Sequence, residues 1–374
     1  MTEPTGTPAN LPPAPTETPR TPPVVTIVAP SLEILGGQGV QARALVEALR
    51  RDGYRVGFVP INPTFPPGLR WLRRFPFVRT LLNEALYLPR LLRLRRGDVA
   101  HIFSASYWSF VLAPLPAMLL ARMLGKRVVL HYHSGEAADH LERFGLLVHP
   151  WLPLADAIVV PSDYLREIFA SHGRPVRVIR NVVDTAAFSF RDRIPLRPRL
   201  LSTRNLEPYY RVDHSLRAFA LLRRRHPGAT LTVAGYGREE GSLRRLAAEL
   251  RCGGIRFVGR VEPEAMPRLY DDADIFVNSS VVDNQPVSIL EAFAAGLAVV
   301  STGTGAIARM VGDGERGRLV PPGDPEAMAE AIGRLLDEPD RARGMALAAR
   351  REAESYAWVR VRGDWAEVYS GATA

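Results

Sequence analysis

The sequence predicts an α/β protein of two doubly wound domains, each a parallel sheet packed between helices. Its 374 residues exceed the roughly 250–300 at which a single hydrophobic core stops growing. Short β-branched runs alternate with longer runs of helical spacing, which is typical of parallel βαβ units. A stretch rich in proline and arginine, residues 191–198, separates two such series. We therefore assign the domains to residues 24–190 and 199–352.

The first series begins with an apolar run at residues 24–29, as a strand buried on both faces requires. Residues 38–51 follow with apolar side chains at helical spacing. Further strands are predicted at residues 55–59, 99–103, 127–131, 157–160 and 176–179, with helices at 107–124 and 162–171. Pro114 and Pro116 lie within the first of these helices and are candidate points of interruption.

The second series repeats the alternation. Its predicted strands are residues 199–203, 230–234, 255–258, 275–277 and 298–301. Its predicted helices are residues 212–225, 239–250, 263–270, 287–295 and 324–336. A last helix near residues 358–369 belongs to a C-terminal segment, residues 353–374. Two consecutive βα series of this kind predict two Rossmann-like domains.

Composition narrows the chemistry. The single cysteine, Cys252, excludes an intrachain disulfide and a cysteine-based zinc cluster, and favours a reducing cytoplasm. Lys126 is the one lysine, so Schiff-base chemistry would have to use it. Residues 1–23 hold eight prolines and are expected to form a disordered tail. Residues 102–121 are uncharged and long enough to span a membrane, but their serines and prolines favour a buried strand followed by a helix.

Glycines lie between the first strand and the first helix, in the run Leu35-Gly36-Gly37-Gln38-Gly39. Glycines there let backbone N–H groups approach a phosphate at a helix N-terminus. Gly37, Gly39 and Ala42 match a dinucleotide fingerprint loosely, because residues 30–35 intervene and the second strand lacks its acid. A phosphate loop and a plain glycine turn both remain open.

Two histidines, His131 and His133, lie at the carboxyl end of a predicted strand and point to the same side. Ligands in open α/β sheets bind at such strand ends. We favour one histidine that hydrogen-bonds a polar ligand. A metal pair and a satisfied core histidine are the alternatives.

Two carboxylates, Asp283 and Glu291, flank a turn into a predicted helix. Carboxylates accept several hydroxyl hydrogen bonds, which suits ribose and sugar hydroxyls. The alternative is a loop acid near a helix N-terminus and a solvated surface acid. Their spacing alone favours that structural alternative.

A basic apolar segment, residues 69–97, contains eight arginines and one acid, Glu84, which is +7 of the net charge of +9. Between Pro76 and Pro89, one helical face is apolar (Phe77, Val78, Leu81, Leu82, Ala85, Leu86). Contact with an anionic membrane surface and a core-facing helix with solvated arginines are equally favoured. Nucleic acid is disfavoured, because no nucleic-acid-binding motif accompanies the charge.

The second half resembles the donor half of family 4 glycosyltransferases in residues 286–301 (PVSILEAFAAGLAVVS) and 317–324 (GRLVPPGD). Shorter matches agree in order upstream, at residues 36–37, 133, 160–162, 179–184 and 234–237. The resemblance implies the GT-B fold, which is two Rossmann-like domains facing across a cleft, with the C-terminal helix returning to the first domain. It implies a nucleotide-diphosphate sugar donor, transfer with retention of configuration, and neither metal nor cofactor. A sugar or lipid-linked acceptor at the cytoplasmic membrane face would fit.

The resemblance also implies residue roles. Glu291 would hold the donor ribose, Asp283 the transferred sugar, and His133 would lie beside that sugar. The resemblance further places Gly36 and Gly37 near the donor phosphates, and Arg260 and Val261 near the nucleotide base.

Three positions depart from the family pattern. Asp283 stands where the family has glutamate, and residues 305–309 depart from the usual Gly-Gly-x-Pro-Glu. Arg204 is the best phosphate ligand, and either Arg211 or Tyr210 occupies the place of a family lysine. Asp272-Ala273-Asp274 has metal-motif spacing, but it precedes a strand and is interpreted as a turn.

Two other functions remain open. A sugar-nucleotide epimerase of GT-B fold would need further acid/base groups, for which Glu136 and Asp139 are the candidates. A non-catalytic nucleotide-sugar-binding protein would fit the departures at residues 283 and 305–309.

Overall fold

The computed structural model describes residues 22–32, 36–104 and 106–371. All but the last two residues of the predicted tail, 1–23, lie outside these ranges, as do Leu35 of the glycine run and the last three residues of the C-terminal segment. The described chain forms two six-stranded parallel sheets with helices packed on both. The predicted α/β class with two doubly wound units is confirmed.

The first sheet has the strand order β2-β1-β3-β4-β5-β6. Its strands are β1 Val25–Ala29, β2 Val56–Pro60, β3 Val99–Ser104, β4 Arg127–Tyr132, β5 Ala157–Val160 and β6 Arg177–Val178. Every residue of β1 and β3 is buried, because helices cover both faces of the central strands.

The helices around the first sheet are α1 Gly37–Arg51, α2 Pro76–Tyr87, α3 Trp108–Leu112, α4 Pro114–Met123, α5 Ala137–Arg143, α6 Gly145–Val148 and α7 Asp163–Ser171. Short 3₁₀ helices span Pro67–Arg74, Leu88–Arg96 and Leu152–Leu154. The predicted helix 107–124 divides into α3 and α4 at Pro114, which cannot continue the hydrogen-bond ladder. Across the described residues, we find no helix long and apolar enough to cross a membrane.

The second sheet has the strand order β12-β11-β10-β7-β8-β9. Its strands are β7 Arg199–Ser202, β8 Thr230–Ala234, β9 Ile255–Gly259, β10 Ile275–Asn278, β11 Ala298–Thr302 and β12 Arg318–Val320. Its helices are α8 Val212–Arg225, α9 Glu240–Glu249, α10 Met266–Asp272, α11 Val287–Ala295, α12 Ile307–Val311, α13 Pro325–Asp337 and α14 Pro339–Glu354, with 3₁₀ turns at Pro208–Tyr210 and Pro263–Ala265. The sequence patterns did not predict β12, α12 or α14.

The final helix, α15 Trp358–Ser370, crosses back to the first sheet. Its side chains Val361, Trp365, Val368 and Tyr369 are buried in one hydrophobic cluster with β1, α1 and β3. This return, implied by the family resemblance, is confirmed.

Asp274 anchors the linker between the two series. Its fully buried carboxylate accepts hydrogen bonds from Arg191 (2.7 Å) and from the Arg197 side chain (3.0 Å) and backbone N–H (2.8 Å). A carboxylate this deep requires such pairing, because an uncompensated buried charge is strongly destabilising. Asp274 therefore has a structural role, as its predicted position in a turn before β10 suggested.

Candidate active site

A cavity of about 620 Å³ lies between the two sheets. In both sheets the strand order reverses, between β1 and β3 and between β7 and β10, and open α/β sheets bind ligands at such reversals. Seven of the nine predicted site residues line it: Gly36, Gly37, His133, Arg204, Val261, Asp283 and Glu291. Arg211 and Arg260 are not part of its wall.

The N-terminus of α1 forms one side of the cavity. Gly36 is the N-cap residue in extended conformation, with no side-chain cap and no acidic residue in the first turn. The first backbone N–H groups of the helix are therefore available to an anion, and the helix dipole favours negative charge there. A Cβ added to Gly37 would meet no atom of the described residues within 4 Å, so they leave the space beside this glycine open. The described part of the glycine run leaves room for an anion, and the phosphate contact of Gly36 and Gly37 stays a prediction.

His133 enters the cavity from the end of β4. Its ring stacks on Phe103 with a centroid distance of 5.0 Å and an interplanar angle of 6°. Burial lowers the pKa of His133 to about 3, so the imidazole is neutral at physiological pH. Its Nε2 is buried and has no hydrogen-bond partner within the part of the chain that the structure describes. A neutral imidazole with an unpartnered nitrogen is suited to hydrogen-bond a polar ligand.

His131 lies behind His133 and belongs to the core. Its Nδ1 lies 3.1 Å from His101 Nε2, and His101 Nδ1 lies 2.8 Å from the Tyr369 hydroxyl on α15. Burial holds the pKa of His131 well below its ordinary value. The two histidines therefore differ in position: His133 lines the cavity, whereas His131 is a core histidine whose Nδ1 faces His101 and whose Nε2 has no partner among the described residues.

Arg204 follows β7 and places a cation in the cavity wall. Its guanidinium donates hydrogen bonds to Asp283 Oδ2 and to Ser288 Oγ (3.0 Å), and it lies 4.0 Å from the centroid of the Tyr210 ring. Burial is the largest single effect and disfavours the charged form, but the Asp283 carboxylate and the hydroxyls of Tyr210, Tyr270 and Tyr209 together outweigh burial and raise the pKa of Arg204 above its ordinary value. Arg204 therefore remains charged beside an aromatic face, where its fork can meet phosphate oxygens.

Glu291 lies on α11 and is half-buried. Its carboxylate accepts a hydrogen bond of 2.7 Å from the hydroxyl of the buried Tyr270. Burial raises the pKa of Glu291 to about 7, against the opposing effects of Tyr270 and Arg204. The predicted alternative of a solvated surface acid does not fit this environment.

The loop that carries Asp283 connects the two halves. Asn284 Oδ1 accepts a hydrogen bond of 2.8 Å from Ser162 Oγ, and Gln285 Nε2 donates one of 3.0 Å to the Pro161 carbonyl. Asp283 also packs closely against Gly135 of the first half: a Cβ at Gly135 would lie 2.9 Å from the Asp283 carbonyl carbon. Asp283 is therefore held at the junction of both halves.

Arg211 and Arg260, the two predicted site residues outside the cavity wall, each form an ion pair with a nearby carboxylate. Arg211 adopts a left-handed backbone conformation (φ 45°) and pairs with Asp213 at 3.0 Å, while Tyr210 lines the cavity. Arg260 pairs with Glu262 at 2.9 Å, while its neighbour Val261 lines the cavity. The donor contacts assigned to Arg211 and Arg260 stay predictions.

Of the two acids considered for an epimerase, Glu136 lines the cavity and Asp139 is outside the wall. Asp139 accepts a hydrogen bond from Tyr107 (2.7 Å) and pairs with Arg143 (2.7 Å). Sequence reasoning missed Tyr210 as a cation–π partner, Tyr270, Asn284 and Gln285. For Asn284 and Gln285, the signal in the sequence was their position in the loop between β10 and α11.

Comparison with known proteins gives matches over both halves. Residues 35–187 match the family model described as Glycosyltransferase Family 4, and residues 197–338 match the one described as Glycosyl transferases group 1. A glycogen synthase of Mycobacterium tuberculosis is 33% identical over 296 residues, 74% of this chain and 69% of that one. A GDP-mannose-dependent alpha-(1-6)-phosphatidylinositol monomannoside mannosyltransferase of Mycolicibacterium smegmatis is 32% identical over 298 residues, 71% and 76% of the two chains.

Solved structures share the fold. HepE of Anabaena, crystallised with UDP-glucose, superposes with a TM-score of 0.72 at 16% identity, covering 93% of this chain and 100% of that one. Sucrose-phosphate synthase of Thermosynechococcus elongatus gives 0.75 at 18% identity, covering 93% and 98%. The described architecture is thus that of the GT-B glycosyltransferases.

Proposed function

This chain belongs to the family 4 glycosyltransferases, and from that premise we propose that it transfers a sugar from a nucleotide-diphosphate sugar to a lipid-linked or polysaccharide-precursor acceptor, with retention of configuration and without a metal ion. The observation that carries the proposal is the composition of the cavity wall. It combines Arg204 and the uncapped N-terminus of α1, which attract phosphate, with Asp283 and Glu291, which accept hydroxyl hydrogen bonds.

The cationic groups act on the leaving group. A departing nucleoside diphosphate gains negative charge, and preorganised guanidinium and backbone N–H donors stabilise such charge in a water-poor site. Arg204 is held by Ser288 and Asp283 before the donor arrives, so little reorganisation is needed. When the donor binds, the Arg204 guanidinium donates hydrogen bonds both to the diphosphate and to Asp283. The Asp283 carboxylate also accepts hydrogen bonds from the hydroxyls of the sugar.

The other groups orient the donor. Glu291 receives the ribose hydroxyls, with Tyr270 holding its carboxylate in place. Neutral His133 hydrogen-bonds the sugar through Nε2. The bond between the anomeric carbon and the phosphate oxygen breaks as the acceptor hydroxyl attacks the same face. The proton of that hydroxyl passes to the leaving phosphate oxygen. Because the acceptor attacks the face from which the phosphate leaves, the configuration at the anomeric carbon is retained.

The surface of the first half supports the proposed lipid-linked acceptor. On α2, the side chains of Phe77 and Leu81 are 87% and 73% exposed. These two apolar side chains therefore do not face the core, as one of the two interpretations of this helix expected. An exposed apolar face within a basic segment favours an anionic membrane surface. The name of the mannosyltransferase relative includes a phosphatidylinositol-based compound, which also supports a lipid-linked acceptor. We place the protein at the inner face of the cytoplasmic membrane.

The test is turnover of nucleotide sugars with a panel of lipid-linked and soluble acceptors. Glu291→Ala should abolish measurable transfer, while Glu249→Ala, which removes an exposed carboxylate from α9, should not. Undiminished transfer by Glu291→Ala would refute the assignment of the donor site. The comparisons do not favour the epimerase, which would be revealed by an epimeric sugar formed without acceptor.

A further inference from the structure

The 3₁₀ helix Leu88–Arg96, which we call the arginine-row helix, sorts its side chains into rows. A 3₁₀ helix has three residues per turn, so side chains three apart lie above one another. Leu91 and Leu94 form one row and are buried in the core of the first half. Arg90, Arg93 and Arg96 form another row. A 3₁₀ run of nine residues is uncommon, and its consequence here is the alignment of three guanidinium groups.

The row lines a recess of about 580 Å³ on the surface of the first half. The remaining wall is apolar and includes Leu86 and Leu92. Ala85 also lines it and lies on the same face of α2 as the exposed Leu81 and Phe77, at successive four-residue steps. One end of the recess therefore continues into an exposed apolar helix face.

No carboxylate among the described residues neutralises the positive charge of the row. None of the three arginines pairs with a carboxylate in the described ranges of the chain; Arg90 donates to the Leu86 carbonyl and Arg93 to the Phe58 carbonyl (3.4 Å). Three stacked like charges without a counter-charge attract an anion with several oxygens, because each guanidinium carries five N–H donors.

The base of the recess is firmly held. The buried Tyr87 hydroxyl donates to the Ala113 carbonyl at 2.7 Å, and Asn83 Nδ2 donates to the Ile61 carbonyl at 2.8 Å. With Leu91 and Leu94 in the core, these contacts fix α2 and the arginine-row helix against the sheet. The arginines are therefore presented from a rigid frame, which lowers the entropy lost on binding.

We propose that the row of Arg90, Arg93 and Arg96 is a binding site for the phosphate of an anionic bilayer lipid, whose acyl chains contact Leu92, Leu81 and Phe77. A lipid phosphate matches the site because its anionic and apolar parts are adjacent, as are the arginine row and the apolar wall. The inference rests on the proposed membrane contact and deepens it: the segment holds a specific headgroup rather than contributing diffuse charge alone.

The experiment measures sedimentation with phosphatidylcholine vesicles that contain or lack phosphatidylglycerol. The variant Arg90→Gln/Arg93→Gln/Arg96→Gln is compared with the matched control Arg70→Gln/Arg79→Gln/Arg95→Gln, which removes the same charge elsewhere in the segment. Diffuse attraction predicts roughly 100-fold weaker binding for either variant, at about a fivefold loss for each of the three arginines. A specific site predicts that the row variant binds at least tenfold more weakly than the control.

Equal losses in the two variants, or no binding of the wild-type chain to anionic vesicles, would overturn the proposal. Glycerol phosphate in solution is used as a competitor of vesicle binding by the wild-type chain, with salt of equal ionic strength as the control. A phosphate site predicts that glycerol phosphate releases more protein than the salt does. Equal release by both would contradict specific phosphate binding. Transfer to a soluble acceptor is measured in parallel. If that transfer persists while vesicle binding fails, the lipid site is wrong and the glycosyltransferase assignment stands.

Discussion

The protonation of Glu291 couples the donor site to the stability of the fold. Burial raises its pKa from 4.5 to about 7, so between these pH values the folded protein holds a proton that the unfolded chain has lost. The contribution to stability is fully present below pH 4.5 and is lost as the pH rises through 7. At about 1.4 kcal/mol per pKa unit, the loss amounts to about 3 kcal/mol.

Glu291→Gln removes the titrating group and keeps an oxygen for the Tyr270 hydroxyl. We expect the free energy of unfolding of the variant, relative to wild type, to rise by about 3 kcal/mol between pH 4.5 and pH 7. Urea unfolding at closely spaced pH values measures this difference. Glu249→Gln serves as the control for loss of an exposed carboxylate and should follow the wild-type curve.

Donor binding should show the opposite pH trend, because ribose hydroxyls are best accepted by the ionised carboxylate. The affinity of the wild-type protein for its nucleoside diphosphate should rise up to tenfold per pH unit as the pH approaches 7. Calorimetry measures it, after a thermal-shift screen selects the ligand. Parallel stability curves for wild type and Glu291→Gln would refute this reasoning, because they would mean that Glu291 ionises as it does in water.

Three further predictions concern other contacts. Arg204→Gln should lower kcat/KM for the donor roughly 100- to 1,000-fold, and Arg211→Gln, outside the cavity wall, less than tenfold; equal losses in steady-state kinetics would place Arg211 in the donor site. Gly305→Ala should lower the free energy of unfolding by about 1–3 kcal/mol, because residue 305 has φ 54° and its Cβ would overlap the Asp283 carbonyl oxygen. A Cβ at Gly303 lies 3.7 Å or more from the described atoms, so Gly303→Ala should leave the free energy of unfolding unchanged. An equal decrease in Gly303→Ala and Gly305→Ala would contradict the predicted clash at residue 305. Trp365→Ala should lower the free energy of unfolding, measured with urea, by about 3–5 kcal/mol, and Trp365→Phe by clearly less. An unchanged value for Trp365→Ala would mean that α15 does not stabilise the first half.

Much of the fold could be predicted from the sequence because βα alternation is a local pattern. The predicted strands β5 and β8 have the bounds that the structure shows, and most others differ by one residue at an end. β12 was missed because three residues give no periodicity to detect. Helix α14 was missed although its buried residues, among them Ala342, Met345 and Ala349, recur at helical spacing, because alanine and arginine give a weak apolar stripe.

The candidate site was predictable where a motif specifies a position. The resemblance over residues 286–301 led to Glu291, and the structure places Glu291 in the cavity. The choice between Tyr210 and Arg211 was not predictable. A 3₁₀ turn followed by a left-handed residue brings Tyr210 to the cavity and turns the Arg211 side chain to Asp213, and no local pattern indicates that turn.

The sequence by itself determined the two-domain α/β class, the family and the concentration of positive charge in residues 69–97, because periodicity, motifs and charge are properties of neighbouring residues. Only the tertiary structure decided which groups meet. Asp283 pairs with Arg204, 79 residues earlier in the chain, and Glu291 meets Tyr270 across 21 residues. The raised pKa of Glu291, the neutral His133 and the exposed face of α2 depend on what packs, or fails to pack, against each side chain. Burial of this kind is a long-range property, which composition and spacing do not contain.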